Sequence, residues 1–283
     1  MADRPAKPDD WAAHWRESAR YWEKHGQIIR QMFAPITSAL IEDAEIVRGF
    51  HVLDVGTGSG EPALSIAEFV GGEGRVCGID PAPEMIAGAR RAAELEKRDT
   101  VQFEVSSADN LPFSSDTFDA VASRFAVMFF PDPLKGILEI LRVLKPRRRA
   151  TFAVWSFVDS NPFHYVLARI VDRYVEPVPA SPDAPDAFRY AAPGKLRMVL
   201  DQAGAVETVE RLFRFKIEAP LSPEDFWNLR LDWSEKLRSR LATLAEEAKT
   251  QARREVLDAF QEYSNEKGMA FPAEVLLVSG RKP

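Results

Sequence analysis

Between residues 51 and 156 the chain alternates short apolar runs with longer amphipathic stretches. The runs "HVLDVG", "GRVCGID", "TVQFEVSSA", "FDAVASRF" and "RATFAVWSF" have the length and apolar content of buried strands. Between them, "EPALSIAEFV", "APEMIAGARRAAELE" and "DPLKGILEILRVLK" carry apolar residues at helical spacing. Strands separated by helical crossovers form a parallel sheet with helices on both faces. The pattern therefore predicts an α/β fold, a doubly wound and mostly parallel sheet.

On either side the pattern changes. Residues 1–10 are rich in proline and charge and read as a disordered tail. From Trp11 to Asp43 the spacing is helical, with Trp11, Trp15, Tyr21, Trp22, Ile28, Ile29 and Phe33 set among charges. After Phe157, "NPFHYVLARIVDRYV" predicts a helix, "EPVPASPDAPDAF" a proline-rich loop, "GKLRMVLDQAGA" a helix ending at Gly204, and "VETVERLFRFKIEA" a strand. Residues 222–267 read as entirely helical, with Leu237, Leu241, Leu244, Ala248, Ala252, Val256, Phe260 and Tyr263 on one stripe. "AEVLLVSGRK" is the last strand. The implied organisation is an N-terminal helical lid over 11–45, a core over 46–220 and 269–283, and a helical cap over 221–268 inserted before the last strand.

Charge narrows the classes of partner. The chain has 283 residues, 46% hydrophobic and 28% charged, with a formal net charge of −6. Such a balance offers no general attraction to nucleic acid or to an anionic membrane. Nothing reaches the length of apolar sequence that a membrane span needs, and no leader pattern opens the chain, so a cytoplasmic protein without a membrane span is expected. The one cysteine, Cys77, sits in an apolar run and reads as a core thiol. No Cys/His cluster points to a metal.

The chemistry concentrates at "VLDVGTGSGEPALSIAEF". Gly56, Gly58 and Gly60 follow a strand and open a helix, which lets the backbone turn sharply and a ligand lie against it. Glu61 stands where the dinucleotide fingerprint places its last glycine. Asp80 closes the next strand, where a carboxylate can bind both hydroxyls of an unphosphorylated ribose, a group common to NAD and S-adenosylmethionine. Asp54 separates these two: a carboxylate beside the turn repels a pyrophosphate but favours an ammonium and a sulfonium.

The segments "VLDVGTGSG", "GIDPAPEMI", "SADNLPFSSDTFDAV" and "DPLKGILEILRVLKP" resemble the successive motifs of class I S-adenosylmethionine-dependent methyltransferases, of the type found in ubiquinone/menaquinone-biosynthesis C-methyltransferases. The resemblance covers residues 48–156. It implies a Rossmann-like, seven-stranded sheet with the last strand antiparallel, and S-adenosyl-L-methionine as cofactor. It further implies that Asp54, Gly56, Thr57, Gly58 and Gly60 cradle the methionine part, that Asp80 binds the ribose, and that Pro81 and Met85 lie near the adenine. Asp109 would meet the adenine amino group, with Ala108 and Asn110 beside it, and Arg124 and Phe125 would face the methyl donor. "KPRRRA" departs from the family's Lys-Pro-Gly-Gly turn, and Arg147, Arg148 and Arg149 are expected as a solvated turn at the sheet edge away from the cofactor.

No motif identifies a base for the acceptor. His14, His25, His164 and Arg124 are the candidates, while His51 opens the first strand at the wrong end of the sheet. Trp11, Trp15 and Trp22 share a helix face; they either pack that helix on the core or form an aromatic lid. Phe226, Trp227, Arg230 and Trp233 raise the same choice. The expected acceptor is a small, apolar or aromatic molecule. An NAD-linked oxidoreductase and a noncatalytic S-adenosylmethionine-binding module are the alternative readings.

Overall fold

Strand β1 (His51–Val55) lies at the centre of the sheet, between β2 (Arg75–Asp80) and β4 (Phe118–Arg124), in a computed structural model that describes residues 10–176 and 184–283, with side chains from Trp15 onward. β3 (Val101–Val105) flanks β2, and β5 (Leu144–Trp155) flanks β4, all in parallel. Beyond β5 come the long strands β6 (Val206–Ala219) and, after the two-residue β7 (Ser264–Asn265), β8 (Gly268–Arg281). The order is β3-β2-β1-β4-β5-β8-β6, with β7 hairpinned onto β8, giving eight strands in all. β8 inserts between β5 and β6 and runs antiparallel to both.

The seven long strands and the antiparallel last strand agree with the sequence, and the reason lies in burial. β1 is covered on both faces: Val52 packs with Ile66 and Ile86 on one side, and Leu53 and Val55 with Ile36 and Leu40 on the other. A strand buried on both faces reads as a continuous apolar run. Helices α1 (Asp10–Lys24) and α2 (Gly26–Asp43) precede the sheet. α3 (Ala63–Val70), α4 (Pro83–Leu95) and α5 (Pro133–Val143) are its crossovers. α6 (Pro162–Val171) and α7 (Lys195–Gln202) follow β5. α8 (Pro223–Trp233), α9 (Glu235–Ala242) and α10 (Glu246–Phe260) lie between β6 and β7.

Several boundaries differ from expectation. The first helical stretch breaks at His25 into α1 and α2. The stretch 222–267 is three helices: Ser222 caps α8 by accepting from the Asp225 N–H at 3.1 Å, and Ser234 caps α9 by accepting from the Leu237 N–H at 3.2 Å. It stops being helical before Lys267, because β7 turns back onto β8 at Gly268, where φ is +118° and an added Cβ would lie 2.3 Å from the Ala219 carbonyl oxygen. β8 accordingly begins at Gly268 rather than at Ala273. "KPRRRA" joins the amino end of β5 as a bulge, with pairing that jumps from Phe118–Leu144 to Ala120–Arg149 and Arg147 at φ +63°. Residues 1–9 of the expected tail and 177–183 of the expected proline-rich loop lie outside the described residues.

Candidate functional site

The glycine turn leaves β1 at its carboxyl end and doubles back into α3. Gly56 and Thr57 donate their N–H groups to the Ile79 carbonyl, both at 2.9 Å, which pins the turn to β2. Gly56 has φ +78°, and a Cβ there would lie 2.1 Å from the Cβ of Ala126. Only glycine lets the turn pack against the end of β4.

A cavity of about 530 Å³ opens beside this turn, at the carboxyl ends of the strands. Gly56, Thr57 and Gly58 form one wall, and Asp80, Pro81 and Met85 another. Ala108 and Asp109 close the side toward β3, while Arg124 and Phe125 face in from β4. The roof comes from the N-terminal helices, through Trp15 and Trp22 of α1 and Arg30 and Phe33 of α2. Trp15 meets Phe129 edge-on at 5.2 Å, closing the roof onto the loop after β4.

Three candidates stand back from the cavity wall: Gly60, Asn110 and Asp54. Along β1, side chains alternate, so Asp54 shares the α3 side with Val52. It is fully buried there, and its Oδ2 accepts the Ala63 N–H at 3.1 Å, capping α3 from a distance. Burial pushes its carboxyl up to about 7. Glu61, next along the turn, does reach the cavity. Its Oε1 accepts from Arg30 Nε at 2.5 Å and its Oε2 from the Ser65 hydroxyl at 2.8 Å. Arg30 also grips Glu96, at the end of α4, through both terminal nitrogens.

Asp80 ends β2 on the cavity. Its Oδ1 accepts the Ala82 N–H at 2.9 Å, its Oδ2 the Gly58 N–H at 3.1 Å, and burial raises its carboxyl to about 6. Arg124 is buried at the cavity floor and donates to the Thr37 hydroxyl at 2.8 Å. Burial lowers its pKa, opposed by the nearby charges of Glu61 and Asp54.

The histidines are placed elsewhere. The side chain of His14 lies outside the described residues. His25 pairs with Asp232 of α8 at 2.8 Å, off the cavity wall. His164 lies behind Trp155, at 4.4 Å between ring centres. His51 packs on Phe118 at the amino end of β1, near the Arg148 side chain, which covers Phe50. Among the described residues there is no His/Cys/Asp/Glu group suited to a metal, and no helix long and apolar enough to cross a membrane.

This set of groups suits S-adenosylmethionine. The oxygens of Asp80 have lone pairs left for ribose hydroxyls. Beside the glycine turn, the Glu61 carboxylate and the guanidiniums of Arg30 and Arg124 all line the cavity. Groups of both signs suit a zwitterionic methionine end. Residues 52–147 match the model of a methyltransferase domain. The chain carries a methyltransferase domain.

Several known proteins are similar to it. An uncharacterised protein of Mycobacterium tuberculosis is 31% identical over 168 residues, 59% of each chain. The ubiquinone/menaquinone biosynthesis C-methyltransferase of Geobacter sulfurreducens is 35% identical over 121 residues, 42% of this chain and 47% of that one. These alignments thus span less than two thirds of the relatives' own lengths. The crystal structure of the YcgJ protein of Bacillus subtilis shares the fold, with a TM-score of 0.57 at 22% identity, over 87% of this chain and 97% of that one.

Within the methyltransferase domain, Glu61 was visible in the sequence only as a departure from a glycine pattern. Arg30, which holds it, lies outside the matched segment and belongs to no motif. An arginine on an otherwise amphipathic helix carries no signal of its own; only the folded chain brings it to the turn.

Proposed function

We propose that this protein is an S-adenosylmethionine-dependent methyltransferase acting on a small organic acceptor of apolar or aromatic character. The observation that carries the reading is the sharing of one cavity by Asp80, the glycine turn and Glu61 with Arg30 over it. Asp80 takes the ribose, and Gly56, Thr57 and Gly58 lie along the methionine part. Gly60 and Asp54 act from behind, setting the turn and the start of α3. Pro81, Met85, Ala108 and Asp109 flank the adenine, with Asn110 completing that loop. Arg124 and Phe125 face the methyl end.

S-adenosylmethionine supplies a methyl group already activated by a sulfonium. The protein's task is to align an acceptor with it and to exclude water. The aromatic roof of Trp15, Trp22 and Phe33 suits that task and an apolar acceptor. The named relatives include methyltransferases of quinone biosynthesis and of aklanonic acid, which supports a small-molecule acceptor of this character.

Calorimetric titration with S-adenosylmethionine, S-adenosylhomocysteine and NAD tests the reading, with Asp80→Ala in parallel. Binding of the first two, lost in the variant, is the expected result. Preference for NAD, or no binding by a folded protein, would overturn it.

A further inference from the structure

The two edges of the sheet are unlike. At one end β3 is five residues long, Val101–Val105. At the other, β6 runs for fourteen, Val206–Ala219, and pairs with β8 alone. Between Val206 and Glu218, among the described residues, no backbone group of a loop or helix bonds to its outer side. Such an edge presents a row of N–H and C=O groups to any strand that can pair with it, and proteins blunt it by a short strand, a proline, a bulge or a covering segment. β6 has no proline, and its bulge, between Val206 and Val209, leaves regular pairing from Val209 to Ala219. Val209 and Leu212 are exposed apolar side chains on that regular stretch.

The order of its side chains decides what fits. Residues opposite each other in an antiparallel pair share a face, and like charges there repel. When the strand meets a copy of itself about a two-fold axis at Leu212, Glu210 falls opposite Arg214, Thr208 opposite Lys216 and Val209 opposite Phe215. Leu212 meets its own copy. Arg211 falls opposite Phe213, the ring it already covers within its own chain at 5.3 Å. No like charges meet in this register. An axis between Leu212 and Phe213 sets Arg211 against Arg214 and Glu207 against Glu218. One at Arg214 sets that residue against itself and Glu210 against Glu218. One at Phe213 avoids like charges but places Leu212 against Arg214. Glu210 accepts the Gly194 N–H at 2.8 and 3.0 Å, and Arg214 donates its Nε to Glu274 at 2.7 Å. Lone pairs on the carboxylate and terminal N–H groups on the guanidinium are left for each other across the axis.

We propose that β6 pairs with β6 of a second copy of this chain, antiparallel about a two-fold axis at Leu212, so that two sheets join into one. The contact is isologous, with each surface its own complement. Main-chain hydrogen bonds supply the attraction and the side-chain order fixes the register.

Sedimentation velocity on the full chain, over a range of concentrations, tests this. The wild type is expected to dimerise. Leu212 is 41% exposed, so replacing it leaves the core intact, and thermal unfolding checks that it does. Leu212→Lys and Leu212→Asp each place like charges on the axis and are expected to weaken the dimer roughly tenfold. An equimolar mixture of the two should restore it as a heterodimer, because opposite charges then meet. A wild type that stays monomeric into the millimolar range would overturn the proposal. So would a dimer that Leu212→Lys leaves as strong, or a mixture no better than the separate variants. A dimer that Leu212→Lys weakens and Leu212→Asp strengthens puts the axis at Phe213, and overturns the register at Leu212.

Discussion

The carboxylate of Asp80 holds Gly58: its Oδ2 accepts the Gly58 N–H at 3.1 Å, across the mouth of the cavity from the end of β2 to the glycine turn. Because Oδ1 accepts the Ala82 N–H at 2.9 Å, one side chain sets both the turn and the entry to α4. Asp80→Asn removes one of the two acceptors and turns an amide N–H toward a backbone donor. Hydrogen bonds to a charged group contribute about 1.5–3 kcal/mol, but burial has raised this carboxyl to about 6, so the amide also relieves a buried charge as pH rises. The variant should compare worst with the wild type near pH 4 in urea unfolding, improve against it as pH rises through 6, and lose cofactor affinity. A stability difference that does not vary with pH would contradict the raised carboxyl.

Two glycines of the turn should fail in different ways. A Cβ on Gly56 would meet Ala126 at 2.1 Å, while one on Gly58 would meet nothing within 4 Å. Gly56→Ala should cost roughly 1–3 kcal/mol through overpacking. Gly58→Ala, at φ +54°, should cost only about 1–2 kcal/mol in backbone strain and should chiefly weaken cofactor binding, because its methyl group stands on the cavity wall. Thermal unfolding and calorimetry on both variants separate the two effects.

The sheet was legible in the sequence because β1, β2, β4 and β5 are parallel and covered on both faces, which demands apolar runs. The same periodicity, applied one step further, places Asp54 on the α3 side of β1. The sequence put its carboxylate beside the turn, and the fold adds that it approaches from behind, at the start of α3. The Arg30–Glu61 pair was not legible, since it joins residues 31 apart on elements whose relative placement depends on tertiary packing. Arg230 and Trp233 stood in one sequence cluster and Trp22 in another, and that a buried nitrogen of each is without a hydrogen-bond partner is visible only in three dimensions.

Arg30 ties α2 to the glycine turn at Glu61 and to the end of α4 at Glu96. Its side chain is 31% exposed, so each pair is screened and contributes at most about 1 kcal/mol. Arg30→Ala should leave the fold intact, raise the dissociation rate of S-adenosylhomocysteine several-fold, and remove most of the salt dependence of that rate. Stopped-flow dissociation at low and high KCl measures both. A rate that depends on salt equally in wild type and variant would show that the latch does not govern release.

Asp54 makes stability depend on pH in a direction unusual for a carboxyl. Its folded pKa, about 7, is raised by burial above the unfolded value of about 3.9. Between those values the folded chain keeps a proton that the unfolded chain has released, so this group lowers stability as pH rises from about 4 to about 7. Asp54→Asn removes the effect. The variant should match the wild type near pH 4.5 and exceed it above pH 7 by on the order of a few kcal/mol, because each tenfold change in proton affinity is worth about 1.4 kcal/mol. Urea unfolding across that range checks it, and a variant less stable at pH 8 would contradict it.

His164 acts in the opposite sense. Burial, helped by the charge of Arg230, holds its pKa well below the ordinary 6.5. Below pH 6.5 the unfolded chain takes up a proton that the folded chain refuses, so this group lowers stability as pH falls. It is neutral at pH 7 and its ring meets those of Trp155 and Phe163 in T-shaped contacts, at 4.4 and 4.9 Å between centres. His164→Phe keeps an aromatic ring and removes the proton, so its stability relative to wild type should rise as the pH is lowered from 7 toward 5. Measuring this in the Asp54→Asn background removes the opposing carboxyl effect from the same window. A pH profile that His164→Phe leaves unchanged would mean that the imidazole has the same proton affinity folded and unfolded, so that burial does not hold it neutral.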